Sequence, residues 1–327
     1  MRIRTWHVTS LGEPRDVLRV VEVPQPVPGP GEVAVRVRAV AVNFPDVLLA
    51  RGEYQVRPEV PFTPGIELCG DVVAVGPGVE RVRVGERVVG SRIGVLAEVA
   101  VLAEQEVFPA PPSLDDAEAA SLTIAYQTAW FALHRRAAVR EGETVLVHAA
   151  AGGVGTATVQ LAAAAGARVI GVVGSEAKAQ VARDAGAHVV LDRTRDDLVA
   201  AVKEATDGRG ADVVVDPVGG DAFDASVRCV AFEGRIVVVG FAGGRIQSVR
   251  PEHALVKNYG VLGLHWGLYA RVRPDLVAEA HDAISRLVAD GVVRPVVGDV
   301  VPFEDAAKAV QRLAEGSTTG RLVVQVS

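Results

Sequence analysis

Residues 144–155 restrict the fold of this chain more than any other segment does. They read as a buried strand, a turn of small residues and the start of a helix, T-V-L-V-H-A-A-A-G-G-V-G. Against the pattern G-x-G-x-x-G, positions 150, 152 and 155 hold Ala, Gly and Gly. Gly152 would let a bound phosphate approach the backbone, and Gly155 would let the helix pack closely on its strand. Ala150 departs from the first glycine, so the turn has to accommodate a Cβ.

The sequence after this turn alternates between Val/Ile-rich runs and amphipathic stretches. Continuous apolar runs joined by helices are typical of a parallel sheet that is covered on both faces. A doubly wound Rossmann domain is therefore predicted, and this context favours dinucleotide binding over a glycine-rich turn that binds nothing. The predicted strands are 144–148, 168–173, 188–191, 212–215 and 235–239, and the predicted helices are 154–165, 175–185, 196–206 and 222–232.

The first 123 residues follow a different pattern, in which short period-2 runs are separated by Pro and Gly. Residues 33–40 alternate cleanly, with Arg36 and Arg38 on the solvent face. Such runs predict a mostly antiparallel β domain. The segment after residue 267 is expected to return and pack on it. The predicted fold class is α/β, with domain 1–123 plus 268–327 and domain 124–267.

Composition excludes several classes of protein. The chain has 327 residues, which is long enough for two domains, and its net charge of -6 with no Lys/Arg block argues against nucleic-acid binding as the main role. Two distant cysteines do not make a disulfide framework. No signal-peptide core or membrane span is recognised, which predicts a cytoplasmic location. The sequence contains no Cys/His cluster of the kind that predicts a metal site, and no G-x-S-x-G motif of the kind that predicts a hydrolase.

The choice of dinucleotide depends on the end of the second strand of the Rossmann domain. An acidic residue there would bind the ribose hydroxyls of NAD, but the strand ends in Gly174 and Ser175. Glu176 follows within the first turn of a helix, where it complements the helix dipole. Ser175, Lys178 and Arg193 are donors that could surround a 2′-phosphate, so NADPH is predicted.

Several motifs give the chain a resemblance to the medium-chain dehydrogenase/reductase superfamily, and within it to the zinc-free quinone oxidoreductase (ζ-crystallin-like) family. Zinc enzymes of the superfamily carry Cys near position 43 and His at the position of Ile66, where this chain has Asn43 and Ile66. The resemblance therefore implies a GroES-like catalytic domain without zinc. The motifs that carry it are N-F-P-D (43–46), R-G-E-Y (51–54), P-G-I-E-L-C-G (64–70), Y-Q-T-A-W (126–130), A-A-A-G-G-V-G (149–155), D-P-V-G-G (216–220), G-F-A-G-G (240–244) and G-R-L-V (320–323).

The resemblance also implies roles for individual residues. Asn43 and Thr128 would lie beside the nicotinamide end of the cleft, and Ser175, Lys178 and Arg193 would hold the 2′-phosphate. The pyrophosphate would contact Gly152, Gly153, Val154 and Gly155, and the ribose and nicotinamide would contact Val218, Phe241, Ala242, Leu264, His265 and Trp266.

The implied reaction is hydride transfer from NADPH to a quinone or another electron-poor small molecule. Negative charge develops on the acceptor oxygen, and fixed donors would stabilise it. Asn43 and Tyr54 are the candidate catalytic residues, with Arg51 and His265 as weaker candidate acids. Tyr54 could equally be an amphipathic wall residue of the pocket.

Three alternatives remain at this stage. The first is an enoyl or acrylyl thioester reductase, or an enone reductase, of the same superfamily. A CoA thioester would require basic residues at the entrance of the site, and the only candidates are Arg245 and Arg250. The second is a non-catalytic NADPH-binding protein, and the third is an RNA-binding, crystallin-like protein. The resemblance also implies a homodimer that pairs through an edge strand of the Rossmann sheet, for which residues 259–264 are the candidate.

Overall fold

The computed structural model describes residues 1–327 and divides into two compact units. The first unit comprises Met1–Ile124 and Arg294–Ser327, and the second comprises Ala125–Val293. The strands are β1 (Arg2–Val8), β2 (Leu18–Pro24), β3 (Glu32–Val42), β4 (Leu68–Val75), β5 (Arg87–Gly90), β6 (Val99–Ala103), β7 (Val107–Pro109), β8 (Thr144–Val147), β9 (Arg168–Val173), β10 (Val189–Asp192), β11 (Ala211–Asp216), β12 (Val230–Val238), β13 (Gly260–Gly263), β14 (Val297–Pro302) and β15 (Arg321–Gln325).

Twelve α-helices connect these strands. They are α1 (Pro14–Val17), α2 (Phe44–Arg51), α3 (Asp116–Ala120), α4 (Thr123–Trp130), α5 (Gly153–Ala164), α6 (Glu176–Asp184), α7 (Leu198–Ala205), α8 (Asp221–Cys229), α9 (Pro251–Lys257), α10 (Trp266–Val272), α11 (Pro274–Ala289) and α12 (Ala306–Ala314). A π-helical segment, Phe131–Ala137, continues α4. None of the twelve helices combines the length and the hydropathy that a membrane-spanning helix requires.

The first unit is built on a mostly antiparallel sheet of seven strands. Its order is β14-β15-β3-β4-β5-β7, and β6 also pairs with β3. The C-terminal strand β15 pairs antiparallel with β3, so the end of the chain completes the sheet that the N-terminal residues begin. Alternating Val side chains of β3, such as Val33, Val35 and Val37, are fully buried in the core.

The second unit is a six-stranded parallel sheet in the order β10-β9-β8-β11-β12-β13. Its central strands are buried on both faces, as the uninterrupted Val/Leu runs predict: every side chain of Val145–Val147 and Val213–Val215 is inaccessible to solvent. The predicted fold class, an antiparallel β domain together with a doubly wound parallel sheet, is confirmed.

Some predicted boundaries differ from the structure. The helix expected over residues 222–232 ends at Cys229, because Val230 already pairs with Ala211 of the neighbouring strand β11. Residues 268–293, predicted to belong with the first domain, lie in the second compact unit. There Tyr269 packs its ring 4.4 Å from the ring of Phe131. The hairpin strand β1 has no counterpart in the sequence-based prediction.

Candidate functional site

The order of the parallel sheet identifies one edge of the second unit as its candidate ligand-binding edge. Strand β8 lies between β9 and β11, so the chain connections leave it in opposite directions. In open α/β sheets, ligands bind outside the carboxyl ends of the strands at this switch point. The predicted cofactor residues from Gly152 to Trp266 follow the carboxyl ends of β8, β9, β10, β11, β12 and β13.

The turn after β8 has the geometry that its small residues suggest. Ala149 has φ 50°, a left-handed conformation that a residue with a Cβ rarely adopts. A Cβ on Gly155 would overlap the carbonyl oxygen of Ala149, so only glycine fits there. Gly152 is the N-cap of α5 and offers no side chain to its first turn. The N–H groups that open α5 therefore remain available to an anion.

Donors gather at the carboxyl ends of β9 and β10. The guanidinium of Arg193 packs on Gly174, where a Cβ would lie 3.3 Å from Nε, and it forms no ion pair or hydrogen bond with the protein. Ser175 caps α6 by accepting from the backbone N–H of Lys178 at 3.4 Å. Ser175, Lys178 and Arg193 thus lie at one corner of the sheet, with Ser175 and Lys178 in the first turn of α6.

The two nearby carboxylates are engaged elsewhere. Glu176 forms an ion pair of 3.1 Å with Arg183 along α6. Asp192 accepts hydrogen bonds from the backbone N–H and hydroxyl of Thr194, and these bonds hold the pKa of Asp192 below its usual range. Both carboxylates therefore have partners within the protein, unlike an acid that is left free to bind the ribose hydroxyls of NAD.

The strands β11, β12 and β13 carry the remaining residues predicted in this unit. Val218 and Phe241 are half-buried, Ala242 and His265 are exposed, and Leu264 is buried. Trp266 donates its indole N–H to Oε1 of Gln127 at 3.0 Å. Thr128, the next residue of α4, is buried. Gln127 was not predicted, although it lies within the Y-Q-T-A-W motif.

His148 has a structural role beside strand β8. It is buried, and its Nε2 lies 2.8 Å from the hydroxyl of Ser226. That hydroxyl donates to the carbonyl of Ala222, so Nε2 of His148 donates to the hydroxyl oxygen. Burial lowers the pKa of His148, which keeps the ring neutral.

Asn43 belongs to a buried polar cluster in the first unit. Its Nδ2 donates to the carbonyl of Ala41 at 3.0 Å and to Glu67 at 2.8 Å, and its Oδ1 accepts from Arg321 at 2.9 Å. In this geometry both N–H bonds of the amide are used inside the protein. The catalytic donor role predicted for Asn43 therefore has no N–H left to perform it, and a structural role fits the observed contacts.

Charged residues complete this polar cluster, which we define as Asn43, Asp46, Glu67 and Arg321. Arg321 forms an ion pair with Glu67, and Glu67 also accepts from the backbone N–H of Ile124 at 2.8 Å. Asp46 accepts from the backbone N–H of Asn43 at 2.8 Å and of Gly65 at 3.0 Å. Burial raises the pKa of Asp46 to about 6 and lowers that of Arg321 to about 10.

Tyr54 is the remaining predicted catalytic residue. It is half-buried in the loop that follows α2, and its hydroxyl has no partner within the protein. Burial, together with the charge of Asp46, raises the pKa of Tyr54 above its ordinary value, so the hydroxyl stays protonated and able to donate at neutral pH. Arg51 makes a two-pronged ion pair with Glu13 at 2.8 and 3.0 Å and is not a free acid.

The two positions at which zinc enzymes of the superfamily carry ligands hold other side chains with other surroundings. Asn43 is engaged with Glu67 and Arg321, and Ile66 is a buried apolar side chain. No group of three or more His, Cys, Asp or Glu side chains is arranged to hold a metal ion. Sequence reasoning missed Asp46, Glu67 and Arg321, although each lies in a motif that carried the resemblance. A charged residue within an apolar run was the available signal.

Two family profiles match the chain. The profile of the alcohol dehydrogenase GroES-like domain matches residues 29–112, and that of the zinc-binding dehydrogenases matches residues 153–285. Quinone oxidoreductase-like protein 2 of Bos taurus is 37% identical over 99% of this chain and 93% of its own length.

Two further similarities bear on function. The crystal structure of Escherichia coli quinone oxidoreductase complexed with NADPH superimposes with a TM-score of 0.92 at 31% identity, covering 99% of this chain and 100% of that one. Phthioceranic/hydroxyphthioceranic acid synthase of Mycobacterium tuberculosis is 34% identical over 91% of this chain, which corresponds to only 14% of the synthase.

Proposed function

The chain belongs to the quinone oxidoreductase-like family of the medium-chain dehydrogenase/reductase superfamily and is an oxidoreductase, and from that premise we propose that it uses NADPH, without zinc, to reduce a quinone or a related electron-poor small molecule. The observation that carries this proposal lies at the carboxyl ends of β9 and β10. There the guanidinium of Arg193 has no partner, and the carboxylates of Glu176 and Asp192 are both engaged elsewhere.

The residues present fit the cofactor. Gly152 and Gly155 leave space at the start of α5, and its open N–H groups suit a pyrophosphate. Ser175, Lys178 and Arg193 supply hydroxyl and cationic groups that suit a 2′-phosphate, which carries nearly two negative charges at neutral pH. Val218, Phe241, Ala242, Leu264, His265 and Trp266 are proposed to contact the nicotinamide half, with Thr128 beside them.

The residues present do not fit a catalytic zinc. An amide that is held by Glu67 and Arg321 and an isoleucine cannot replace a thiolate and an imidazole as ligands. We therefore derive no step through a metal. Elemental analysis of the purified protein should find no stoichiometric zinc, and one zinc per chain that is required for activity would contradict this.

The chemistry supplied by bound NADPH is hydride, so the protein has to orient the acceptor and stabilise the charge that develops on its oxygen. Tyr54 is the proposed donor to that oxygen, because its hydroxyl is unpaired and stays protonated at neutral pH. The polar cluster is proposed to act indirectly: Asp46 joins the start of α2 to Gly65, and so connects the helix that precedes the loop carrying Tyr54 to the residue that follows this loop.

One observation weighs against an enoyl-CoA thioester as the acceptor. The two arginines that could form a basic entrance are already neutralised, since Arg245 pairs with Asp221 and Asp224 and Arg250 pairs with Glu252. A small acceptor without phosphates is favoured. The similarity to the mycobacterial synthase keeps thioester reduction as the second candidate.

The test is an NADPH oxidation assay with purified protein against quinones, enones and enoyl-CoA thioesters. Turnover of quinones or enones at a higher kcat/KM than of the thioesters would support the proposal. A preference for thioesters would establish the second candidate, whereas NADPH binding without turnover of any acceptor would indicate a non-catalytic role.

Assembly is proposed to be a homodimer through the open edge of the parallel sheet. Strand β13 pairs only with β12, and Leu255 and Val256 of the preceding helix are about three-quarters exposed, at 76% and 78%. Pairing of two copies along β13 would continue the sheet across a two-fold axis. A monomer at micromolar concentration by light scattering would contradict the proposal.

A further inference from the structure

Two segments at the carboxyl edge of the parallel sheet run side by side. We call residues 216–220 the aspartate turn and residues 240–247 the glycine loop. Ala242 donates its backbone N–H to the carbonyl of Pro217 at 3.0 Å, and Gly243 donates to Val218 at 2.9 Å. Val218, Phe241 and Ala242, three of the residues proposed to contact the nicotinamide half, therefore belong to two joined segments.

Most of the aspartate turn is held by its own first residue. The carboxylate of Asp216, which is buried, accepts from the backbone N–H of Val218 at 2.8 Å and of Gly219 at 2.9 Å. Gly219 and Gly220 have φ 70° and 56°, left-handed conformations that strongly favour glycine. Gly220 is also the N-cap of α8 and has no side chain with which to cap it.

Asp216 does not bind the backbone N–H of Gly220, and Gln247 binds it instead. Its Oε1 accepts from the backbone N–H of Gly220 at 3.2 Å, and its side chain is largely buried. The fit around it is close: a Cβ on Gly219 would lie 2.8 Å from Oε1 of Gln247 and 3.0 Å from the ring of Phe241. The opposite end of the carboxamide, Nε2, has no acceptor in the protein, so the oxygen alone makes this connection.

We propose that Gln247 is a positioning residue for the nicotinamide half of the cofactor: it fastens the glycine loop to the aspartate turn, so that Val218, Phe241 and Ala242 form one wall before any ligand binds. The cofactor part rests on the proposed function. The fastening itself is a property of the protein without ligand. Preorganisation of this kind strengthens binding because the loops lose less freedom when the ligand arrives.

Hydrogen exchange of the ligand-free full chain tests the fastening. Gln247→Leu removes the acceptor at similar volume, and the amides of Gly220, Ala242 and Gly243 should exchange about fivefold faster, the factor that one hydrogen bond of about 1 kcal/mol provides. Gln247→Glu keeps an oxygen for Gly220 and should exchange close to the wild-type rate. Equal rates in wild type and Gln247→Leu, or equally fast exchange in both variants, would overturn the proposal.

Cofactor titration tests the positioning. Gln247→Leu should weaken NADPH by about fivefold and leave the NADPH/NADH preference unchanged, because the proposed 2′-phosphate donors lie on other strands. Faster exchange with unchanged NADPH affinity would overturn the positioning role. Gln105→Leu, an exposed residue of the first unit, is the matched control and should change neither measurement.

Two safeguards keep the outcomes distinct. Thermal denaturation checks that Gln247→Leu folds, and Gln247→Ala serves as the second variant without an acceptor. If wild-type protein does not bind NADPH, the proposed function fails and the positioning role fails with it. The exchange comparison would still decide whether Gln247 joins the two segments.

Discussion

In the first unit, Asn43, Asp46, Glu67 and Arg321 are all buried and bind one another or nearby backbone groups. In the second unit, Ser175 is half-buried and Arg193 is exposed, and the guanidinium of Arg193 has no partner. Similar side chains therefore do different work. Side chains that are bonded within the protein, such as that of Asp46, hold the backbone, whereas a side chain without a partner, such as that of Arg193, is available to a ligand.

The largest expected effect concerns the buried ion pair. Arg321→Leu removes the cation and leaves the carboxylates of Glu67 and Asp46 buried without it. Breaking such a pair lowers the free energy of unfolding by about 3–5 kcal/mol, which chemical denaturation can measure. Arg250→Ala, which breaks an exposed ion pair with Glu252, should leave the denaturation midpoint unchanged. Equal effects of the two variants would refute the comparison between buried and exposed groups.

The pH dependence of stability also tests the comparison between buried and exposed polar groups. The pKa of Asp46 is raised from 3.8 to about 6, so the native state holds this proton more tightly than the unfolded chain does. The contribution of Asp46 is therefore fully present below about pH 4 and is lost as pH rises through about 6, up to about 3 kcal/mol.

Asp46→Asn, which does not titrate, isolates this contribution. The unfolding free energy of wild type minus that of the variant should fall between pH 4 and pH 6. Denaturation curves at several pH values measure the difference. A difference that is constant, or that grows with pH, would show that the carboxyl is ionised in the native protein throughout this range.

The turn after β8 offers a comparison between two glycines. A Cβ on Gly155 would overlap the carbonyl oxygen of Ala149, whereas a Cβ on Gly152 would lie 3.3 Å from the same oxygen. Gly155→Ala should lower the free energy of unfolding by about 2 kcal/mol, and Gly152→Ala by clearly less, since only a small shift relieves its contact. Thermal denaturation of both variants tests this order, which equal shifts would contradict.

The smallest expected effect concerns the proposed 2′-phosphate donors. NADPH should bind at least about tenfold tighter than NADH, and Arg193→Ala or Lys178→Ala should weaken NADPH while leaving NADH almost unchanged. Arg195→Ala is the control, because this exposed arginine lies 3.8 Å from Asp192 and is not among the proposed donors. The preference should shrink with salt, which screens exposed charges. Equal dissociation constants at low salt would indicate that Glu176 or Asp192 controls the site.

How much of the fold and the site the sequence could predict depends on how far apart in sequence the interacting residues lie. Periodicity predicted β3 and the strands from β8 to β12 because alternation and continuous apolar runs are local properties. The helix predicted to continue to residue 232 stopped at Cys229, since pairing of Val230 with Ala211 outweighed local propensity. Asn43 was predicted as a donor from its type and motif, and only its contacts revealed that Glu67, 24 residues away, and Ala41 use both of its N–H groups.

The sequence by itself determined the two-part α/β architecture, the glycine turn after β8 and the family, because each depends on patterns within a few dozen residues. Only the tertiary structure decided which polar groups are engaged and which are open. Arg321 reaches Asn43 across 278 residues, and Gln247 reaches Gly220 across 27. Hydrogen bonds between segments that are distant in sequence leave no periodic signal along the chain, so their partners emerge only when strands and loops are brought together.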